Sequence, residues 1–129
     1  LITIKQLVVN KEELKARTRN FAVNTIKFTD ELPMNRSNNH ITGQLIRSAT
    51  SVGANYRAAL RAKSQPDFLY KIKVVLEEAD ECIYWMEIIK ETSQSKTMNL
   101  DPLYQEANEL TAIFSAITKT LKSRTQNKS

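Results

Sequence analysis

Catalysis by side chains needs a few residue types held at particular spacings, and this sequence offers few of them. His40 is the only histidine, so a two-histidine zinc or di-iron site cannot be built from one chain. It stands at the start of an expected helix, where a capping or solvent-facing role suits it. Cys82 is the single cysteine. It falls among Val75, Ala79 and Met86 on the apolar side of an expected helix, with no histidine there to take its proton, and reads as a small buried hydrophobe. Two glycines are too few for a phosphate-cradling loop. No catalytic residue, metal or cofactor is expected, and the chain reads as a non-enzyme.

The acidic run Glu77, Glu78, Asp80, Glu81 has the residue types of a metal or acid–base site. Its spacing argues otherwise. Glu77, Asp80, Glu81, Glu87 and Glu91 cluster opposite Val75, as the solvated side of a helix does. Glu78 is the exception, because its helical angle sets it beside Val74, Cys82 and Trp85 in the apolar sector. A carboxylate there needs a partner. An arginine, or an amide such as Asn55, would supply an interhelical ion pair or hydrogen bond of structural purpose.

The basic residues are segregated. Between Arg36 and Lys63 there are five lysines and arginines and no acid. Arg47, Arg57 and Arg61 fall within an arc of about 80° of one helix, opposite its apolar stripe. Ser51, Ala54 and Ala58 lie on or beside that side and are small enough to admit a phosphate backbone. Planar guanidinium forks suit phosphate. With Lys63 they form a candidate nucleic-acid-binding face for RNA or DNA. The competing use is pairing with the acidic face of the next helix, within the chain or across a subunit boundary.

Four amphipathic segments must position these groups. The first runs from about Lys11 to Glu31, with Asn10 as cap and Glu13 as capping-box partner. Its stripe is Leu14, Thr18, Phe21, Thr25, Phe28 and Leu32, ended by Pro33 and a polar loop from Met34 to Asn39. The second runs from about His40 to Ala62, with Ile41, Leu45, Ala49, Val52, Tyr56 and Ala59 on one face. Ser64-Gln65-Pro66-Asp67 opens the third, expected over about 65–91, with Ser64 as N-cap and Asp67 reaching back. Asp101-Pro102 opens the fourth, expected over about 102–122. Its apolar face is Leu103, Leu110, Phe114, Ile117 and Leu121. Short connections between amphipathic helices predict one domain over 1–129, an all-α, up-down-up-down antiparallel four-helix bundle. Leu1–Val9 and Ser123–Ser129 read as tails.

The third helix carries an apolar sector of about half its circumference, from Trp85 and Val74 round to Leu76 and Ile83. One bundle interior needs less, so the surplus implies a second contact, most simply with further copies of the chain, unless it is an edge left exposed. Gly53 in mid-helix costs about 1 kcal/mol against alanine, which close helix approach would offset. Val74, Trp85 and Gly53 are therefore candidate oligomer-interface residues. A net charge of +5 permits an acidic partner. One cysteine, no membrane-length apolar run and no signal pattern point to the cytoplasm and away from membranes. Leu1 in place of methionine reads as a trimmed end.

The segments Ser51-Val52-Gly53-Ala54-Asn55-Tyr56-Arg57-Ala58-Ala59 and Glu78-Ala79-Asp80-Glu81-Cys82-Ile83-Tyr84-Trp85-Met86-Glu87 carry a resemblance. So does the linked pattern Arg57-x-x-x-Arg61-x-Lys63-Ser64-x-x-Asp67-Phe68. The chain resembles the bacterial four-helix bundle proteins related to those encoded in intervening sequences of 23S rRNA genes. Many relatives have Asn-Ile-x-Glu-Gly in helix two, where this chain has Asn55-Tyr56-Arg57-Ala58-Ala59, so it is similar to a different branch. The resemblance implies a ring of five subunits. A related branch, the accessory protein of diversity-generating retroelements, implies binding to nucleic acid and to a partner protein, a reverse transcriptase, through a basic surface. By position, Arg47, Arg57 and Arg61 would be its contacts.

Overall fold

The computed structural model describes residues 11–92 and 99–126. Four helices follow one another: α1 (Lys11–Asp30), α2 (Arg36–Ala59), α3 (Gln65–Thr92) and α4 (Asp101–Gln126). Each packs on its chain neighbours, α2 on α3 most extensively, and α1 closes the ring on α4 least tightly. The result is the antiparallel four-helix bundle that the periodicity predicts.

Each stripe buries as its spacing requires. Leu14, Thr18, Phe21 and Thr25 line the inner face of α1, and Leu45, Ala49, Val52, Tyr56 and Ala59 that of α2. Ile72, Val75, Ala79, Cys82, Met86 and Ile89 do so on α3. Leu103, Leu110, Phe114, Ile117 and Leu121 complete the core from α4. At its centre the Tyr56 and Phe114 rings meet edge-on, with centroids 5.5 Å apart. The polar members of the α1 stripe are satisfied locally. Thr18 and Thr25 each donate to the carbonyl one turn back, of Leu14 and Phe21, at 2.8 Å.

Both ends of α2 and of α4 depart from the sequence expectation. α2 starts at Arg36, ahead of the expected His40, because Asn35 is extended and its side chain accepts the Asn38 N–H at 2.8 Å. Regular helix there stops at Ala59, and 3.0–3.1 Å bonds from Arg61 and Ala62 to carbonyls three residues back tighten the exit. α4 includes Asp101, whose N–H goes to the Asn99 side chain at 3.1 Å, and it continues to Gln126 through part of the expected tail. At the start of α3, Ser64 Oγ accepts from Asp67 N–H and the Asp67 carboxylate accepts from Lys63 N–H, both at 3.2 Å. The Asn10 cap lies outside the described residues.

Phe114 is fully buried. Phe114→Ala is expected to destabilise by about 3–5 kcal/mol in a denaturant melt. Ile26→Ala, at the exposed margin of α1, is expected to change stability by under about 0.5 kcal/mol.

Candidate nucleic-acid interface

The expected basic stripe divides in two, and Glu78 is the cause. This carboxylate is turned toward α2, with its side chain only 16% exposed. Arg47 bends out of the outward stripe to meet it, Nη1 donating to Glu78 at 3.1 Å and Nη2 donating to Glu81 at 2.6 Å. Nη2 also reaches the buried Ser48 hydroxyl at 3.0 Å. One guanidinium thus spans two carboxylates a helical turn apart, a match for its planar fork. The Arg47 hydrogen bond is the chief reason that the Glu81 carboxyl is held below its usual range, with help from the Trp85 indole N–H. That N–H donates to Glu81 at 3.2 Å.

Two sequence assignments change here. Arg47 faces the acids of α3 within the same chain, so it leaves the candidate phosphate face. Asn55 is not the partner of Glu78, because its Nδ2 donates to the Ser51 carbonyl of its own helix at 2.8 Å. Glu81 is the residue that sequence reasoning missed. Its three-residue spacing from Glu78 carries the signal, since such a pair can grip one arginine.

The remaining basic residues stay outward. Arg57, Arg61 and Lys63 are exposed. Among the described residues, neither Arg57 nor Arg61 pairs with an acid. Lys63 stands near Asp67, whose carboxyl is lowered first by its hydrogen bond from Lys71, at 2.8 Å, and then by the Lys63 backbone N–H. The outward basic surface is therefore the last turn of α2 and the turn after it.

The candidate oligomer residues have neighbours within the chain. A Cβ on Gly53 would lie 3.2 Å from Thr18 Oγ1, so the close approach that explains this glycine is α2 on α1, and its assignment to a subunit boundary is replaced. Trp85 is half-buried against the core, edge-on to His40 at 6.2 Å and to Tyr84 at 5.0 Å. Val74 is half-buried on the same flank of α3. The wide apolar sector of α3 serves two neighbours, α2 on the Trp85 side and α4 on the Leu76 and Ile83 side. Tyr70, at 66% exposure, and Tyr84, at 56%, are the large rings it leaves to solvent.

Other chemistry is sparse in the described residues. Cys82 is buried, and burial first, then the Glu78 and Glu81 charges, push its thiol up to about 12. No group of three metal-ligating side chains forms among them, and no helix is long and apolar enough to cross a membrane. A groove of about 570 Å³ runs between α1 and α4, bridged by Arg17, which holds Glu106 at 2.7 Å and Glu109 at 3.3 Å.

The fold is that of an all-α four-helix bundle protein. The chain belongs to the 23S rRNA-intervening sequence protein family, which it matches over residues 10–116. It is similar to a crystal structure of a protein with unknown function from the S23 ribosomal protein family of Bacteroides thetaiotaomicron VPI-5482. The two are 29% identical with a TM-score of 0.77, over 86% of this chain and 99% of the other. No curated protein matches.

Glu78→Ala is expected to destabilise by about 1–2 kcal/mol, a figure reduced because Arg47 is half-exposed and keeps Glu81. The exposed Glu87→Ala should cost less than about 0.5 kcal/mol. Glu81 adds a pH signature. Its folded pKa is depressed, so its contribution is fully present above the ordinary carboxylate range and is lost as pH falls through the depressed value. Melts across the acid range should show this loss in the wild type and a smaller one in Arg47→Gln. Equal acid limbs would contradict the clamp.

Proposed function

We propose that this protein is a non-enzymatic accessory module that binds RNA or DNA through phosphate, using the C-terminal end of α2, and that it works as a homo-oligomer. The carrying observation is the pair Arg57 and Arg61, exposed and without an acidic partner among the described residues, in a stretch otherwise free of acids. The nearest acid in sequence, Asp67, is taken by Lys71 and the Lys63 backbone. Alanine at 54 and 58 keeps the outward side of α2 low between the arginines, so a backbone can approach. A ring of five subunits, reached by resemblance, is the assembly proposed, in a reducing cytoplasm that suits the buried thiol.

Phosphate contacts act with little base preference. The double change Arg57→Gln with Arg61→Gln should therefore weaken binding to every nucleic acid tested. It should also flatten the log–log salt dependence by roughly 0.7 to 0.9 per lost contact. Helicity should be unchanged, because neither side chain touches the core. Unmodified protein that binds no RNA or DNA at low salt would overturn the proposal.

A second reading, an oligomeric protein-interaction scaffold without nucleic-acid binding, is favoured by the exposed Tyr84 ring beside the acids of α3. Both readings require assembly. Light scattering at micromolar concentration should return a multiple of 14.8 kDa, five-fold if the family resemblance extends to ring size. A monomer mass would remove assembly from both.

A further inference from the structure

Gly43 has no use within its own chain. Glycine in mid-helix lowers helix stability, and a Cβ added at this one would meet no atom within 4 Å. Gly53, by contrast, lets α2 close on Thr18. Gly43 lies on the outermost line of α2, with Arg36 seven residues before it and Thr50 seven after, all exposed. Arg47, the long side chain that would have stood over this stretch, is drawn aside to Glu78 and Glu81. The line is therefore bare in the middle, basic at its start and free of acid throughout.

α3 carries an outer line of the opposite kind. Glu77, Tyr84 and Glu91 follow one another at the same seven-residue spacing, with Asp80 among them, and all four are exposed. The Tyr84 ring stands out from the surface at 56% exposure, meeting Trp85 along one edge. Among the described residues, Glu77, Asp80 and Glu91 pair with no base and Arg36 pairs with no acid. Lys90, beside Glu91 in sequence, leans toward α4, 5.8 Å over the Tyr104 ring.

Resting on the assembly reading, and not on the nucleic-acid reading, we infer that the outer line of α3 in one copy docks on the outer line of α2 in the next, with Tyr84 seated on Gly43. Two contacts within the chain give the heights. His40 on α2 faces Trp85 on α3 at 6.2 Å, and Arg47 reaches Glu81 at 2.6 Å. Gly43 falls between the two α2 residues and Tyr84 between the two α3 residues, so bare backbone and projecting ring stand at one level. Rotation about an axis parallel to the bundle keeps every residue at its own height, which brings the ring of one copy level with the glycine of the next. The helices run antiparallel, so seven residues either way from that match set Arg36 level with Glu91 and Thr50 level with Glu77. Charge decides that the contact is heterologous. Either line set against itself would gather charges of one sign with none to answer them, whereas α2 against α3 joins base to acid and ring to hollow. Arg57 and Arg61 lie beyond Thr50 and are left to phosphate.

The test is light scattering at micromolar concentration on Gly43→Gln and Tyr84→Ala, each alone and then mixed in equal amounts. Both positions are exposed, so helicity by circular dichroism should match wild type. Each variant alone should return 14.8 kDa where wild type returns a multiple of it. The mixture should return twice that mass, because Tyr84 of the first variant can still sit on Gly43 of the second and one intact junction forms. Either variant assembling as wild type does, or a mixture that stays at 14.8 kDa, would overturn the inference and leave assembly standing. Lost helicity in either variant would overturn it as well, since that residue would then serve the fold of its own chain. Wild type at the monomer mass would remove the assembly reading and this inference together.

Discussion

A carboxylate that the helical repeat turns inward, Glu78, must find a positive partner, and much of this molecule's surface follows from how it does so. Arg47 is drawn off the outward face of α2 and gripped by Glu78 and Glu81. The grip ties the two most extensively packed helices at one height and so sets which residues face each other along the whole seam. It also divides a continuous basic stripe into a neutralised half and an open half. An aliphatic residue at 78 would relieve the desolvation of a half-buried acid, at the loss of this register mark. The ion pair is better understood as a specifier of alignment than as a large source of stability.

Alignment then assigns roles by height. Near His40 and Arg47 the seam is crowded, with an aromatic trio of His40, Trp85 and Tyr84 beside the ion pair. Near Ala58 it is shallow, with small side chains on α2. Glu78 and Glu81 stand at the first end, held by Arg47, and Arg57 and Arg61 at the second, without an acidic partner among the described residues. On the opposite side, α1 and α2 meet closely because Gly53 has no side chain to hold Thr18 away.

The fold was legible because periodicity reports burial directly. The stripes read from Leu14, Leu45 and Leu103 onward are those that face the core. The capping-box spacing of Ser64 and Asp67 likewise marks the start of α3. Starts without such a signal were misjudged, as at Asn35, whose cap shows only in its extended backbone and its bond to Asn38. The site was legible in part. Helical angle identified Glu78 as inward and Arg57 and Arg61 as outward. It could not foresee that Arg47, outward on the wheel, has enough reach to cross the seam, because angle describes where a Cβ points and not how far a long side chain extends. Gly53 and the wide apolar sector of α3 were assigned to other subunits for a related reason. A single helix does not reveal how many neighbours its own chain will supply.

Single substitutions at the two ends of the divided stripe test this account most directly, through the salt dependence of binding to one labelled nucleic acid. If the clamp has removed Arg47 from the phosphate surface, Arg57→Gln should flatten the log–log slope by roughly 0.7 to 0.9 while Arg47→Gln leaves the slope unchanged and lowers only stability. An Arg47→Gln variant whose slope flattens as much as that of Arg57→Gln would contradict it, because the arginine that Glu78 and Glu81 hold would then be serving phosphate.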